Sequence, residues 1–248
     1  MDQSLYDRPE LYDLVSPDDA AWAQFYVDLA RARGGRVLEL ACGTGRFTLP
    51  LARAGLDVTA GDLSDRMLER ARTAAAAAGL PIDFHTLDMR DFALDGRFDT
   101  IMVAANSVLH LHSAEDFSRF FAAVARHLAP GGRLVFDAFV PSVAMLARDP
   151  DARHPVGTFG DGGDAVSLEE TIRYDPISQV SHVEWFWSRP DAPDFWRHRL
   201  DMRQIFPEEM PVLIAAGGLK LLERYGDFDG SALTAQSRRQ ICVCGLPD

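Results

Sequence analysis

The sequence predicts an α/β fold, in which a doubly wound, mostly parallel sheet of seven strands carries an inserted antiparallel β meander. An apolar segment at 36–41 runs into a turn with two glycines and then into an apolar helix face, the unit that opens many doubly wound sheets. Strand-like and helix-like segments alternate from there to about residue 140, which favours parallel strands connected by helices. After Pro141, strand-like segments separated by turns favour antiparallel pairing.

Apolar periodicity and capping residues place the elements of the first 140 residues. A first helix is expected from Ser16 to about Arg33, because Ser16-Pro17-Asp18-Asp19 supplies a hydroxyl cap, a proline and two carboxylates, and Gly34-Gly35 ends it. Strands are expected near 36–41, 57–62, 82–87, 99–105 and 133–139. Helices are expected near 45–54, 64–78 and 114–128, with Ser64 and Ser113 as caps and Gly55 and Gly79 as stops.

The rest of the chain divides into an insertion and a closing segment. Strands are expected at 166–173, 179–188 and 195–206, with turns at Asp175-Pro176 and Arg189-Pro190-Asp191 between them. A helix opens at 207–209 and ends at Gly217-Gly218, and strands at 219–225 and 239–245 close the sheet. We therefore expect one domain made of residues 1–140 and 207–248, with residues 141–206 as an inserted antiparallel sheet.

Composition and charge narrow the classes of function. The 248 residues carry a formal net charge of −12, which opposes tight binding to a phosphate backbone, so no nucleic-acid partner is expected. No run approaches the roughly 20 apolar residues that span a bilayer, and the first residues lack the pattern of a signal peptide. Three cysteines make no disulfide framework, and Cys242 and Cys244 lack further ligands at metal spacing. We expect a cytoplasmic protein with no membrane association and no metal.

The glycine turn and the acidic residues near it form the strongest functional pattern. Gly43 and Gly45 stand where the backbone turns sharply and a ligand lies directly against it. Thr48 replaces the third glycine of the dinucleotide pattern G-x-G-x-x-G. Asp62, at the end of the second strand, follows Glu39 by 23 residues. This is about the distance at which an acidic side chain receives a ribose diol.

The sequence around these positions resembles the class I methyltransferases that use S-adenosylmethionine. Segment 39–45 resembles their first motif, and Gly61-Asp62-Leu63-Ser64 with Met67 continues the likeness. Asp88-Met89-Arg90-Asp91-Phe92 resembles the segment whose aspartate accepts from the adenine amino group, and 127–136 resembles the turn into the fifth strand. The resemblance implies a Rossmann-like domain with S-adenosylmethionine as cofactor. The predicted cofactor-binding residues are Tyr12, Glu39, Ala41, Gly43, Gly45, Asp62, Leu63, Met67, Asp88, Met89 and Asn106.

The insertion narrows this resemblance. An antiparallel sheet after the fifth strand, together with a last strand that ends in Cys244-Gly245-Leu246-Pro247, is similar to the N-methyltransferases of amino-sugar biosynthesis. Glycine-type N-methyltransferases resemble it more distantly. Specific motifs lie only in the cofactor half of the chain. The insertion is similar to these enzymes in its type of structure, not residue by residue. The resemblance implies methyl transfer to a small-molecule acceptor, with an amine nitrogen favoured over a hydroxyl or carboxylate.

Two other classes of function share part of the pattern. A nicotinamide-dependent oxidoreductase would also have the strand–turn–helix and the acid of the second strand. The missing third glycine and the adenine-type segment at Asp88 disfavour it. The other alternative is a non-catalytic protein that binds S-adenosylmethionine, and the intact cofactor motifs argue against it.

Methyl transfer from a sulfonium requires an acceptor lone pair held in line with the methyl–sulfur bond, with water excluded. His110 follows the fourth strand, where the crevice of such a sheet opens. It is predicted as the catalytic residue, taking a proton or orienting the acceptor, with a structural histidine as the alternative. Asn106 is interpreted as a backbone organiser or a contact to the cofactor's methionine portion. Asp137 and Phe139 either line the acceptor side or serve packing.

Two tyrosines precede the first expected helix. Tyr6 and Tyr12 lie in the segment that resembles the lid of this family. A tyrosine there can close over the sulfonium or bond the cofactor carboxylate. The alternative is that the tyrosine is a surface aromatic side chain that packs the first residues of the chain against the protein. This alternative is favoured for Tyr6.

The middle strand of the insertion has two distinct faces, His182, Glu184 and Phe186 on one and Val183, Trp185 and Trp187 on the other. His182 and Glu184 either hold an acceptor amine or pair across strands with Arg199 or Arg203. If the two tryptophans face outward, they form an apolar patch typical of an interface. On that basis we predict a homodimer through the inserted sheet.

Overall fold

The computed structural model describes residues 4–16, 20–160 and 165–247. The chain divides into two compact units. The parallel-sheet unit comprises the described residues of 18–140 and 205–248. The insert unit comprises the described residues of 1–17 and 141–204.

The parallel-sheet unit is built on seven strands. They are β1 (Arg36–Leu40), β2 (Asp57–Asp62), β3 (Asp83–Thr86), β4 (Phe98–Val103), β5 (Leu128–Phe139), β10 (Lys220–Tyr225) and β11 (Arg239–Gly245). Their order is β10-β11-β5-β4-β1-β2-β3. Strand β11 runs antiparallel to both β5 and β10, and the other neighbouring pairs are parallel. The predicted seven-stranded, mostly parallel sheet is therefore confirmed.

Five helices belong to this unit: α2 (Ala20–Arg33), α3 (Thr48–Arg53), α4 (Asp65–Ala77), α5 (Ala114–His127) and α7 (Glu209–Ala216). The predicted caps are confirmed, because Ser64 accepts a hydrogen bond from the Met67 amide and Ser113 forms a capping box with Asp116. Helix α3 begins later than the expected residue 45, since Gly45 keeps a left-handed φ of +89° within the turn. No helix among the described residues is long and apolar enough to cross a membrane.

Both faces of the central strands are covered by helices. On one face, Val37 of β1 and Val58 of β2 pack in a cluster with Val27 of α2 and Leu51 of α3. On the other face, Phe121 of α5 lies with its ring centre 6.3 Å from that of Phe136 in β5. Apolar residues on both sides of parallel strands give the buried, doubly wound arrangement that the alternation of elements predicts.

The insert unit contains a four-stranded antiparallel meander. Its strands are β6 (His154–Phe159), β7 (Val166–Asp175), β8 (Val180–Arg189) and β9 (Ala192–Arg203), in that order, with the short helices α1 (Pro9–Val15) and α6 (Val143–Leu146). Three of the strands were expected. The sequence gives little sign of β6, because Pro155 and Gly157 interrupt it at an irregularity in its pairing, which an edge strand tolerates.

The start of the chain belongs to a different unit from the one expected. Residues 1–140 were assigned to one domain, yet Leu5 and Leu11 pack in an apolar cluster with Trp187 and Trp196 of the insert unit. Ser16, predicted to cap the start of a helix, is the residue that follows the last turn of α1 as its C-terminal cap. Its amide donates to the Asp13 carbonyl at the end of α1. The remaining residues of that predicted cap, Pro17 to Asp19, lie outside the described residues.

The tryptophans of β8 do not form the outward apolar patch on which the dimer prediction depended. Trp187 is fully buried, and Trp185 packs partly buried against the same cluster. The Trp187 indole donates to His198 Nδ1 at 3.3 Å. These aromatic side chains form the core of the insert unit, and the homodimer stays a prediction without this support.

Candidate functional site

The parallel-sheet unit brings its functional residues to one edge of the sheet. Strand β1 lies between β2 and β4, so the chain leaves β1 and β4 toward opposite sides of the sheet. The carboxyl ends of these two strands therefore flank the switch point where doubly wound folds bind ligands. The glycine turn follows β1, and the loop that carries His110 follows β4.

The turn after β1 has a backbone that few side chains tolerate. Ala41, Gly43 and Gly45 adopt φ angles of +54°, +57° and +89°. The Gly45 amide donates to the Cys42 carbonyl, and the Leu49 amide donates to the Gly45 carbonyl, both at 3.0 Å. A Cβ built on Gly45 would lie 2.4 Å from Leu49 Cδ1. The turn is therefore a tight cradle, in which Cys42, Gly43 and Gly45 are buried and Ala41 and Thr44 are half-buried.

Asp62 links the end of β2 to this turn. Its Oδ2 accepts from the Gly43 amide at 2.8 Å, and its Oδ1 accepts from the Ser64 amide at 2.9 Å. Burial raises the pKa of Asp62, and these backbone amides oppose the rise. Because each carboxylate oxygen has two lone pairs, Asp62 retains acceptor capacity for a ligand diol lying against the turn.

Thr48 has a role that the sequence did not reveal. It stands at the position of the missing third glycine, is buried, and donates its hydroxyl to Glu39 Oε2. Burial is the main cause that raises the pKa of Glu39 to about 8. The bond ties helix α3 to strand β1 across the turn. One sequence pattern could have predicted this bond. An acidic residue lies in a buried strand, and a residue with a hydroxyl group lies in the first turn of the helix that follows.

Two predicted cofactor residues follow Asp62 and differ in exposure. The Leu63 side chain is 66% exposed, unusual for leucine, and is free to pack on a flat ligand. The Met67 side chain is 1% exposed and lies in the core, with its amide bonded to Ser64. A contact from Met67 to a ligand would need movement of its surroundings. Both assignments stay predictions.

Asp88, the predicted acceptor for an adenine amino group, is engaged by its own neighbour. Arg90 Nη2 lies 2.6 Å from Asp88 Oδ2, and Arg90 Nε lies 3.0 Å from Oδ1. The hydrogen bonds from Arg90 hold the pKa of Asp88 below its usual range. Met89 between them is half-buried. The Asp-x-Arg spacing was visible in the sequence, and it indicates that Asp88 meets any ligand as part of an ion pair.

The loop after β4 is organised by Asp137. A short 3₁₀ helix, Ser107–His110, begins directly after Asn106. His110 is its last residue and is half-buried. Asp137, considered as a residue lining the acceptor side, is instead buried and accepts from the amides of Ala105 and Asn106. The interpretation of Asn106 as a backbone organiser agrees with its left-handed φ of +62°. The catalytic role of His110 stays a prediction.

Tyr12 lies in helix α1 of the insert unit rather than before the first helix, with its ring centre 6.2 Å from that of Tyr6. It packs against the tryptophan cluster. This contact supports the docking alternative for the start of the chain. A cofactor contact from Tyr12 stays a prediction.

A cavity of about 840 Å³ opens on one face of the insert unit's sheet. Charged and polar side chains line much of it: Arg153, Arg173, Arg197, Arg199, His182 and Glu184. His182 lies 2.9 Å from Asp201 Oδ1 and contacts Arg199, so the predicted cross-strand pairing of His182 is present. The Glu184 side chain makes no hydrogen bond or ion pair within the described ranges, and it remains available to a cationic group.

Comparison with known proteins gives relatives with one shared activity. The methyltransferase domain family matches residues 37–132. The putative methyltransferase YqeM of Bacillus subtilis is 30% identical over 217 residues, 86% of this chain and 85% of that protein. The cypemycin N-terminal methyltransferase of a Streptomyces species is 28% identical over 98% of both chains. A ubiquinone biosynthesis O-methyltransferase of Rhizobium etli is 34% identical over 85% of this chain and 71% of that protein.

Solved structures share the whole fold. The methyltransferase CcbJ from Streptomyces caelestis superposes with a TM-score of 0.82 at 25% identity, covering 99% of this chain and 97% of the other. The sugar N-methyltransferase KedS8 from a Streptoalloteichus species gives 0.76 at 23% identity, covering 100% and 94%. The latter similarity concerns the fold alone.

The relatives and the site agree on one cofactor class. The glycine cradle, the acid at the end of β2 and the switch-point loop occupy the positions that the sequence motifs predicted. Methyltransferases cover most of this chain at 30% identity or more. The oxidoreductase and non-catalytic alternatives are therefore set aside. The chain belongs to the S-adenosylmethionine-dependent methyltransferases.

Proposed function

We propose that this methyltransferase transfers the methyl group to an amine nitrogen of a small molecule. The observation that carries the proposal is the cradle at the switch point, where Asp62 accepts from the Gly43 amide and the Gly45 amide donates to the Cys42 carbonyl. Full-length similarity to the cypemycin N-terminal methyltransferase supports nitrogen as the accepting atom. A net charge of −12 favours a small molecule over a nucleic acid.

The residues present fit the cofactor. The turn at 41–45 carries small side chains or none, so a ligand would approach its backbone closely, and a Cβ on Gly45 would meet Leu49. Asp62 would accept from the ribose hydroxyls, and the exposed Leu63 side chain would cover an apolar ring face. The roles of Glu39, Ala41, Met67, Asp88, Met89 and Asn106 are proposed from the motifs. Bound S-adenosylmethionine supplies an electrophilic methyl group on sulfur.

The chain's own contribution to the reaction is orientation, exclusion of water and removal of one proton. An amine attacks only as the neutral base, so an ammonium acceptor must lose a proton. His110, after the left-handed loop, is the proposed group that accepts this proton or positions the nitrogen.

Location and assembly are proposed from the sequence alone. A cytoplasmic location agrees with its composition. A homodimer through the inserted sheet remains a proposal, and the burial of Trp187 removes its main support. Light scattering at micromolar concentration would test the assembly directly.

The acceptor atom is tested with S-adenosylmethionine carrying a ¹³C-labelled methyl group. The enzyme is incubated with a panel of amino sugars, peptides with free amino termini, and matched hydroxyl compounds lacking an amine. The chemical shift of the label separates N-methyl from O-methyl products. We expect N-methyl products from amine members and none with the Gly45→Val variant.

Oxygen methylation is the second candidate function, favoured by the 34% identity to the ubiquinone biosynthesis O-methyltransferase. O-methyl products from the hydroxyl compounds, with no label on any amine, would contradict the proposal and favour this alternative. The unlabelled amines would then serve as the internal control, since they were present at the same cofactor concentration.

A further inference from the structure

The loop that follows β4 has a strained backbone. Ala105 and Asn106 adopt consecutive left-handed φ angles of +57° and +62°. Residues with a Cβ adopt this region reluctantly, and two in succession persist only where surrounding contacts hold them. The same loop leads directly into the 3₁₀ helix that ends at His110.

One side chain makes those contacts. Asp137 Oδ1 accepts from the Ala105 amide at 2.8 Å, and Asp137 Oδ2 accepts from the Asn106 amide at 3.0 Å. Tyr26 donates its hydroxyl to Asp137 Oδ1 at 2.5 Å. Tyr26 and Asp137 are each 2% exposed. The carboxylate therefore receives three donors in a dry environment, where hydrogen bonds to a charged group are strong.

This arrangement requires a carboxylate. All three neighbouring groups are donors, so an amide side chain at residue 137 would direct its NH₂ group toward another donor. Burial raises the pKa of Asp137, and the three hydrogen bonds oppose the rise together with the positive charge of Arg239, which is paired with Phe139 in the β5–β11 register. Its guanidinium is itself held over the ring of Trp22, 4.5 Å from the ring centre.

The position of Asp137 decides where the loop lies. Strands β4 and β5 pair in parallel with Val103 opposite Phe136, so Asp137 stands beside the point where β4 ends. By fixing the first two residues of the loop, it fixes the direction in which the segment 107–110 leaves the sheet. That segment opens at the same edge as the glycine turn after β1.

We propose that Asp137, held by Tyr26, is the positioning residue that sets the Asn106–His110 segment for methyl transfer. The proposal rests on the proposed function in one respect, the role given to His110. Asp137 acts through the loop backbone and touches no reacting atom. If Asp137 had a purely structural role, its replacement would lower the free energy of unfolding. The environment of His110 would then change no more than in another variant that is destabilised to the same extent.

The test compares three variants of the full chain. Asp137→Asn removes the carboxylate, and Tyr26→Phe removes one of its three donors. His127→Leu is the control. It removes a buried acceptor of the Leu94 amide at the opposite end of β5. The free energy of unfolding from urea titration allows the variants to be compared at matched destabilisation.

Two readouts follow the loop itself. In Asp137→Asn, amide exchange at Ala105 and Asn106 should rise by roughly tenfold to a hundredfold, the factor expected for lost hydrogen bonds to a charged group. The NMR signals of the His110 ring, assigned by their loss in His110→Ala, should shift. His127→Leu should change neither. Affinity for S-adenosylhomocysteine should stay within a few-fold of the parent.

Unchanged exchange at Ala105 and Asn106 in folded Asp137→Asn would overturn the proposal, as would His110 signals that move equally in the control. If Asp137→Asn does not fold, Tyr26→Phe decides. It should shift the His110 signals while both loop amides remain protected by the carboxylate. An unshifted His110 ring in that variant would overturn the proposal. No acceptor is needed, so failure of the proposed amine methylation leaves these measurements intact.

Discussion

The Asp62 carboxylate accepts a hydrogen bond from the backbone amide of Gly43, with 2.8 Å between Oδ2 and N. The bond joins the end of β2 to the turn after β1, two elements whose strands are adjacent in the sheet. The same carboxylate is the proposed acceptor for the ribose hydroxyls. Asp62 therefore shapes the cradle and offers a contact within it, and substitutions at this position affect both.

Replacing Asp62 should weaken cofactor binding in a graded way. Asp62→Asn keeps one acceptor oxygen but directs an NH₂ toward a backbone donor, and Asp62→Ala loses every contact. We expect Asp62→Asn to weaken S-adenosylhomocysteine binding by about 1.5–3 kcal/mol, the range for hydrogen bonds to a charged group, and Asp62→Ala by more. Calorimetric titration measures both.

Asp65→Asn is the matched control for Asp62, since Asp65 is a nearby acid that accepts from the Thr86 hydroxyl at 2.6 Å and has no proposed ligand. Its affinity should equal that of the parent. Equal affinities for the parent and a folded Asp62→Ala variant would remove Asp62 from the site.

Ala41 carries backbone strain that glycine would relieve. At a φ of +54°, a Cβ costs on the order of 1 kcal/mol. Ala41→Gly should therefore leave stability unchanged or raise it slightly, despite the greater entropy of the unfolded chain. Ala60→Gly, in buried strand β2, should destabilise by roughly 1 kcal/mol or more. Urea denaturation that shows equal losses in both variants would contradict the strain at Ala41.

The buried acid Glu39 should make stability depend on pH. Its pKa is about 8 in the folded protein against an ordinary value of 4.5, so between these pH values the folded state keeps a proton that the unfolded state releases. Stability should fall as pH rises through this window.

Glu39→Gln should remove this contribution while keeping an acceptor for Thr48. The stability of the variant relative to the parent should rise from about pH 5 to pH 8 and then level off, by on the order of a few kcal/mol in all, because each pKa unit corresponds to about 1.4 kcal/mol. Urea titrations of the cofactor-free proteins at several pH values give the difference. A constant difference across that range would rule out the raised pKa.

Most of the parallel-sheet unit was predictable because local rules agree with one another there. The strand at 36–40, the glycine turn, and the caps at Ser64 and Ser113 each specify the observed element by themselves. Strand β6 was missed because Pro155 and Gly157 mask an edge strand whose partner, β7, supplies the pairing. The grouping of residues 5–15 with the insert unit depends on long-range packing of Leu5 and Leu11, which local patterns do not encode.

The candidate site was predictable in its backbone but not in its side-chain pairing. Gly43, Gly45 and Asp62 follow from turn chemistry and spacing. The Thr48–Glu39 bond and the Tyr26–Asp137 contact join residues whose relation appears only in the fold, 111 positions apart in the second case. Sequence reasoning therefore identified the acids but not the groups that hold them.

The most direct test of the account is calorimetric titration of S-adenosylhomocysteine into Gly45→Val and Gly55→Val. Both glycines have left-handed φ angles, +89° and +81°, but a Cβ on Gly55 meets nothing within 4 Å, whereas one on Gly45 would lie 2.4 Å from Leu49 Cδ1 within the turn. Helical circular dichroism verifies that each variant is folded. The account predicts that Gly55→Val binds like the parent and Gly45→Val does not bind. Parent-like binding by folded Gly45→Val would contradict the claim that this turn holds the cofactor.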